Sequence, residues 1–214
     1  QADRGAEHLI RSAIEEAFPD HAILGEEFGE HVAGGSATHR WIIDPIDGTK
    51  SFISGVPLYA VLIGLEIEGR VEVGVANFPA LGEMLSAATG LGCWWNSQPA
   101  RVSGKTSLSE AIVSCTDFGA FAAYGCEDAY LRLARHSWYR PGWGDAYGYM
   151  LAATGRIEVM IDPIMAVWDC GPFPPIFREA GGYFGDWDGN ETIYTTRSLA
   201  TSQALLPEVM RVLN

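Results

Sequence analysis

Basic residues are scarce in this sequence: 14 Lys and Arg stand against 27 Asp and Glu, a formal net charge of −13. Such a surface repels nucleic acid and anionic membrane, so neither is an expected partner. The same charge is awkward for an anionic substrate unless metal ions invert the local field. Cysteine is sparse too. Cys93, Cys115, Cys126 and Cys170 are widely spaced, with no CxxC or Cys/His spacing of the kind zinc sites use. They read as free, buried thiols in a reducing, cytoplasmic compartment. No apolar run approaches the length of a membrane span, and no signal peptide is visible. P-loop, GxGxxG and GxSxG patterns are absent, and no serine has a histidine partner in sequence. His8, His21, His31, His39 and His136 all fall in helix-surface or polar context. Nucleophilic catalysis by a side chain is therefore poorly supported, and metal-activated water is better supported. There is no internal repeat and no low-complexity segment.

What the chain does have is the stretch RWIIDPIDGTK, residues 40–50. Trp41, Ile42 and Ile43 read as a buried strand, and Pro45 should end it near Asp44. Asp47-Gly48 is a turn signal, followed by Thr49. Two carboxylates thus leave a core strand three residues apart, with a hydroxyl two residues later. Like charges so placed call for something positive between them, and a hard divalent cation such as Mg²⁺ prefers oxygen ligands. The competing reading is a surface turn in which an aspartate caps a helix.

Around this stretch the expected elements are as follows. Residues 3–18 form a helix with an apolar stripe of Ala6, Leu9, Ile10, Ala13, Ile14 and Ala17, and Asp3 near its N-cap. A short strand at 22–24 exits into the acidic turn Gly25-Glu26-Glu27, and 30–39 is a polar loop. Strands at 58–67, 70–77, 83–87 and 92–95 form an antiparallel sheet. In the second half, strands at 111–115, 136–140, 157–161, 183–187 and 192–195 alternate with helices at 126–134, 147–153, 173–180 and 199–213. This is an α/β chain, divided near residue 104 into an antiparallel half (1–104) and an α/β half (105–214) that act as one catalytic unit.

These motifs resemble the inositol monophosphatase superfamily of Mg²⁺-dependent phosphatases. The residues that carry the likeness are Asp44-Pro45-Ile46-Asp47-Gly48-Thr49, Gly25-Glu26-Glu27 upstream, Trp168-Asp169, and Glu179-Ala180-Gly181-Gly182 downstream. The resemblance implies a sugar-phosphatase fold with alternating α-β-α-β-α layers. It implies two or three Mg²⁺ ions held by Glu26, Asp44, the Ile46 carbonyl, Asp47 and Asp169. It makes Thr49 and Asp3, with Asp47, the catalytic group that aligns the attacking water, Glu27 a supporting residue, and Gly48-Thr49 the phosphate-binding turn. The ligand is a small phosphate monoester, and a homodimer is expected.

Within the superfamily the chain is most similar to the histidinol-phosphatase branch, which serves histidine biosynthesis. The details are Asp47-Gly48-Thr49-Lys50-Ser51-Phe52, Gly144-Asp145 before Tyr147-Gly148-Tyr149, and Trp168-Asp169-Cys170. Arg140, Asp145 and Asp162 are the residues this likeness assigns to the substrate pocket. Asp145 and Asp162 offer charge that could pair with an ammonium or imidazole, though Asp145 also reads as a helix N-cap. Inositol-1-phosphate, fructose-1,6-bisphosphate and 3′-phosphoadenosine-5′-phosphate stay open as substrates, as does a catalytically impaired relative acting as a binding module. Two departures from the family pattern stand out. Relatives carry about forty or more residues before the position of Asp3, so the fold is expected to lack the usual N-terminal helical segment. In addition, Pro172, Pro174 and Pro175 should push the first turn of the next helix later.

Overall fold

In the computed structural model, residues 1–32 and 38–214 are described. Helix α1 (Ala2–Ala17) opens the chain, followed by strands β1 (Ala22–Gly25), β2 (Gly29–His31) and β3 (His39–Asp47) and the short helix α2 (Thr49–Ile53). Strands β4 (Ala60–Ile67), β5 (Arg70–Phe78), β6 (Glu83–Ala88), β7 (Cys93–Trp95) and β8 (Gln98–Pro99) complete an eight-stranded sheet in the order β2-β1-β3-β4-β5-β6-β7-β8. Every neighbouring pair in it is antiparallel except β1 and β3. The second half contains β9 (Val113–Ser114), α3 (Phe118–Ala123), α4 (Glu127–His136), α5 (Asp145–Ala153), β10 (Val159–Asp162), α6 (Val167–Cys170), α7 (Phe173–Ala180), β11 (Gly182–Gly185), β12 (Ser198–Ser202) and α8 (Leu206–Leu213). Its four strands pair in the order β11-β12-β10-β9.

Burial explains the layering. Strand β4 alternates buried and half-buried positions, so one face meets the core. That face, with Leu62, Ala76 and Phe78, packs on Tyr149 to Ala153 of α5 and on Phe173, Ile176 and Phe177 of α7. The other side of these helices meets Met160, Phe184 and Ala200 of the second sheet. Tyr149, Phe173, Phe177 and Phe184 stack or meet edge-on at 4.7–6.4 Å between centroids. Each such fully buried ring contributes roughly 1.5–3 kcal/mol from area alone. Beyond the second sheet, Val113, Ile161 and Leu199 pack on Phe121, Leu133 and Val209 of the outer helices. Helix, sheet, helix, sheet and helix thus alternate.

Two glycines set how close the middle layer comes. Gly64 and Gly74 face each other across β4 and β5. A Cβ on Gly64 would lie 2.5 Å from the Gly171 carbonyl oxygen, and one on Gly74 would overlap that of Pro172. The corner between α6 and α7 therefore seats backbone on backbone.

Several expectations need correction. The chain does not lack an N-terminal helical segment: Ala2–Ala17 is a 16-residue helix. Its protein-facing side is only partly the expected apolar stripe: Ile14, with Ile10 beside it, packs on Ile23 and Ile43, but Glu7 and Arg11 are buried too, while Leu9 is 72% exposed. Strand β3 does not stop near Asp44 but runs to Asp47 through a register shift. Pro45 lies past the last β1 pair, Gly25 with Ile43, so its missing N–H breaks no ladder bond on that side. No strand forms over 192–195, and only an isolated bridge, Ile112 with Tyr139, marks 136–140. The expected helix over 199–213 is a strand followed by a shorter helix. Buried on both faces between β10 and β11, Ser198–Ser202 shows no period-2 pattern, and Pro207 marks the true helix start. The polar loop expected at 30–39 lies partly outside the described residues; its two ends belong to β2 and β3.

Candidate active site

The parallel pairing of β1 and β3 builds the first part of the site. Gly25 is in register with Ile43, so the next residues, Glu26 and Asp44, leave the two strands side by side. The Glu26 amide donates to the Ile43 carbonyl at 3.2 Å, and the two carboxyl groups are close enough to act on one another's ionisation. Asp44 Oδ1 also accepts from the Ile46 amide at 3.0 Å, which folds Asp44 back over the bulge. Asp47 ends the strand. Gly48 follows at φ +77°, a left-handed conformation that favours glycine and starts α2. Thr49 Oγ1 donates to the Ile46 carbonyl at 3.1 Å.

The second half adds Asp169 from α6. Its Oδ2 accepts from the Ala166 amide at 2.7 Å, so it does cap its own short helix. Asp44, Asp47 and Asp169 nevertheless each present an oxygen within 4.8 Å of the others. The electrostatics of this cluster are lopsided. Burial, then Asp47, Glu26 and Asp169, push the Asp44 carboxyl up to about 10. Burial, then Asp145 and Asp169, push Asp47 well above the usual carboxylate range. Burial is also the first cause that raises Glu26 and Asp169. Every charge acting strongly on Asp44 and Asp47 is another carboxylate. A divalent cation held by oxygen ligands fits this set, because it supplies the missing positive charge and the donors are hard.

A cleft of about 450 Å³ opens beside the cluster. Asp47 and Asp169 line it, with Lys50, Thr116, Asp117, Tyr124, Asp145 and Ile164 also among its walls. Asp145 sits at φ +51° at the start of α5, with its amide donating to Thr116 Oγ1 at 2.8 Å. Its side chain makes no cap; its Oδ2 accepts from Ser51 Oγ at 3.3 Å. Burial raises the Asp145 carboxyl, with Ser51 and Lys50 opposing. Asp162 is buried on the cleft floor with both oxygens engaged. It accepts from the Thr116 amide at 2.8 Å, Thr116 Oγ1 at 3.1 Å and the Tyr149 hydroxyl at 2.9 Å. Burial still lifts it to about 7.

Of the predicted site residues, Asp47, Asp145, Asp162 and Asp169 line the cleft, Gly48 and Thr49 line a hollow that shares Lys50, Thr116, Asp117 and Asp145 with it, and Asp44 joins through its cluster with Asp47 and Asp169, with Glu26 beside Asp44. Asp3, on α1, is near enough to act on the Glu26 carboxyl. Glu27 ties to α1, its Oε2 accepting from Arg4 Nε at 3.1 Å. Arg140 is not brought to the cleft. Its Nη1 donates to the carbonyls of Ala134 and Ser137 and finishes the C-terminus of α4. Sequence reasoning missed Thr116 and Asp117 and gave Tyr149, part of the Tyr147-Gly148-Tyr149 motif, no role; spacing gives no signal for them, because they converge only through the second sheet. It also missed Glu7 and Arg11, whose four-residue spacing with Asp3 was visible.

The inositol monophosphatase family profile matches residues 1–213. The chain belongs to this family. Among curated members it is 46% identical over 202 residues to the histidinol-phosphatase of Chlorobaculum parvum, covering 94% of this chain and 77% of the relative. It is 32% identical over 214 residues to the inositol-1-monophosphatase of Mesorhizobium japonicum, covering 98% and 80%. The solved structure of the extragenic suppressor protein suhB from Bartonella henselae superposes with a TM-score of 0.91 at 28% identity, covering 100% of this chain and 85% of that one. As a member of the inositol monophosphatase family with an intact cluster of Asp44, Asp47 and Asp169, the chain is a hydrolase, a phosphatase of phosphate monoesters. Among the described residues no helix is long and apolar enough to cross a membrane.

Proposed function

We propose that this phosphatase hydrolyses histidinol phosphate to histidinol and inorganic phosphate, with Mg²⁺ as its cofactor. The observation that carries the substrate reading is the charge of the cleft wall. Asp117 and Asp145 stand beyond the metal cluster, and among the described residues Lys50 is the single basic side chain lining the cleft. A leaving group that bears an ammonium and an imidazole suits such a wall. The 46% identity to a histidinol-phosphatase supports the same reading. Four free thiols fit a reducing, cytoplasmic setting.

In this reading Glu26, Asp44, the Ile46 carbonyl, Asp47 and Asp169 hold two or three Mg²⁺ ions. Bound Mg²⁺ makes water a competent nucleophile near neutral pH and offsets phosphate charge. Thr49 and Asp3 accept and orient the proton of the attacking water, while the turn at Gly48 and Thr49 faces the phosphate. Water oxygen bonds to phosphorus as the ester P–O bond breaks; the proton leaving the water passes to Asp3 and on to solvent, and the departing alkoxide takes one from solvent to give the alcohol. No phospho-enzyme is formed. Asp145, braced by Ser51 and Thr116, pairs with the cationic leaving group, and Asp162 holds Thr116 in place for it.

The test is phosphate release with Mg²⁺ from histidinol phosphate, inositol-1-phosphate, fructose-1,6-bisphosphate and 3′-phosphoadenosine-5′-phosphate. A clear kcat/KM preference for histidinol phosphate is expected. Asp145→Asn should lower that value far more than the value for an uncharged monoester such as glycerol 2-phosphate. Equal losses on both would leave Asp145 no part in binding the leaving group, and preference for another member of the panel would rule the substrate out.

A further inference from the structure

Glu7 is a fully buried carboxylate that the chemistry above does not use. Its Oε2 accepts from the Glu27 amide at 2.8 Å, and its Oε1 accepts from Arg11 Nε at 2.7 Å. Arg11, almost buried itself, donates onward from Nη2 to the Gly29 carbonyl. The carboxylate lies flat on Gly25, where a Cβ would overlap Oε1 and the carboxyl carbon. The turn from Gly25 to Gly29, which carries Glu26, is therefore gripped at both ends by one ion pair on α1. A buried ion pair is an inefficient source of stability, since apolar residues of similar volume serve as well or better. What this pair does provide is geometry. Asp3, Glu7 and Arg11 recur every four residues and share one helix face.

We propose that Glu7 is a positioning residue of the metal centre. By holding the Glu27 amide it fixes Glu26 beside Asp44, and it locks the helix face bearing Asp3 onto the same turn. Gly25 is required because any side chain there would displace the Glu7 carboxylate. The inference rests on the reading that Glu26 and Asp44 hold Mg²⁺.

The test is Mg²⁺ binding by calorimetry, without substrate, alongside the Mg²⁺ dependence of turnover. Residues that orient a metal ligand typically change affinity by about 10–100-fold. Glu7→Gln keeps the side-chain size but leaves one acceptor oxygen for two donors, so its amide nitrogen must face either the Glu27 amide or Arg11, and it is expected to weaken Mg²⁺ binding by about 10-fold or more. At saturating Mg²⁺ its KM for substrate should match the parent and kcat should largely recover. Gly25→Ala should lose Mg²⁺ affinity in the same way. In the unaltered protein, Mg²⁺ should slow hydrogen exchange at the Glu27 amide, a measurement independent of whether any variant folds. Parent-like Mg²⁺ affinity in Glu7→Gln, or Glu27 exchange that ignores Mg²⁺, overturns the proposal. Asp44→Asn separates the two levels. If it abolishes Mg²⁺ binding while Glu7→Gln leaves it intact, only the positioning role falls. If both variants bind like the parent, the metal reading falls with it.

Discussion

The backbone amide of Ala146 donates to Asp47 Oδ2 at 2.6 Å, joining residues 99 apart in sequence. One carboxylate oxygen at the end of β3 thereby anchors the first turn of α5, and the charge it carries is left in the acidic cluster. Structural and electrostatic roles can be separated here, because an asparagine oxygen also accepts from an amide.

Asp47→Asn should accordingly fold, retain the Ala146 bond and lose activity. A loss of about 10³-fold corresponds to roughly 4 kcal/mol of transition-state stabilisation, of the order expected when metal-site charge balance is destroyed. The metal-free variant should melt at a higher temperature than the metal-free parent, because one member of a like-charge cluster is gone. Steady-state kinetics and metal-free thermal melts check both halves.

The same cluster sets a pH dependence of stability. Asp44 is raised from its ordinary 3.8 to about 10, so the folded state holds a proton that the unfolded chain releases. Its contribution is fully present below about pH 4 and is lost progressively as pH rises through the folded value. Melting temperatures of metal-free protein should therefore fall between neutral and pH 10 more steeply than those of Asp44→Asn. Saturating Mg²⁺ should flatten the profile, and its binding should release protons that calorimetry in buffers of different ionisation enthalpy can count.

Gly74→Ala should be among the most destabilising single-methyl insertions in the chain. The new Cβ would meet the Pro172 carbonyl, and backbone has no rotamer to yield. Overpacking of this kind costs about 1–3 kcal/mol. Urea unfolding should show it, with turnover per folded molecule also reduced because the shifted corner carries Asp169.

Tyr149→Phe removes a buried hydroxyl that donates to Asp162 and pairs with Ser198 Oγ at 2.5 Å. Losing those bonds should cost about 1–3 kcal/mol. Burial raises the Asp162 carboxyl, and the Tyr149 bond opposes that rise. The variant should therefore shift Asp162 titration upward, visible by carboxyl carbon NMR.

The acidic half of the centre was legible where its residues are local. Asp44 and Asp47 stand three residues apart at the end of one strand of recognisable pattern, whereas Glu26 joined them only through the family resemblance, because the parallel pairing of β1 and β3 leaves no mark in local spacing. Asp169 was legible only through the Trp168-Asp169 motif. What stayed hidden depended on partners distant in sequence. The inner face of α1 looked apolar, yet buried polar groups are tolerated there because the Glu27 amide and Gly29 carbonyl answer them. Ser198–Ser202 looked helical because a strand buried on both faces loses its alternation. Arg140 looked like a pocket residue until the end of α4 was seen to occupy it. Asp145 read both as a pocket residue and as a cap; its left-handed backbone and the Ser51 contact leave it no capping bond.

The parallel edge where Gly25 meets Ile43 also imposes an order in time. A ribosome adds roughly 5–20 residues each second. Glu26, Asp44 and Asp47 thus emerge within seconds of one another, whereas Asp169 follows about 120 residues later. A nascent chain spends roughly ten seconds with an acid edge that no final ligand closes. Closure of the three-carboxylate cluster therefore waits for α6, which carries Asp169 onto β3 and β4 of the first sheet.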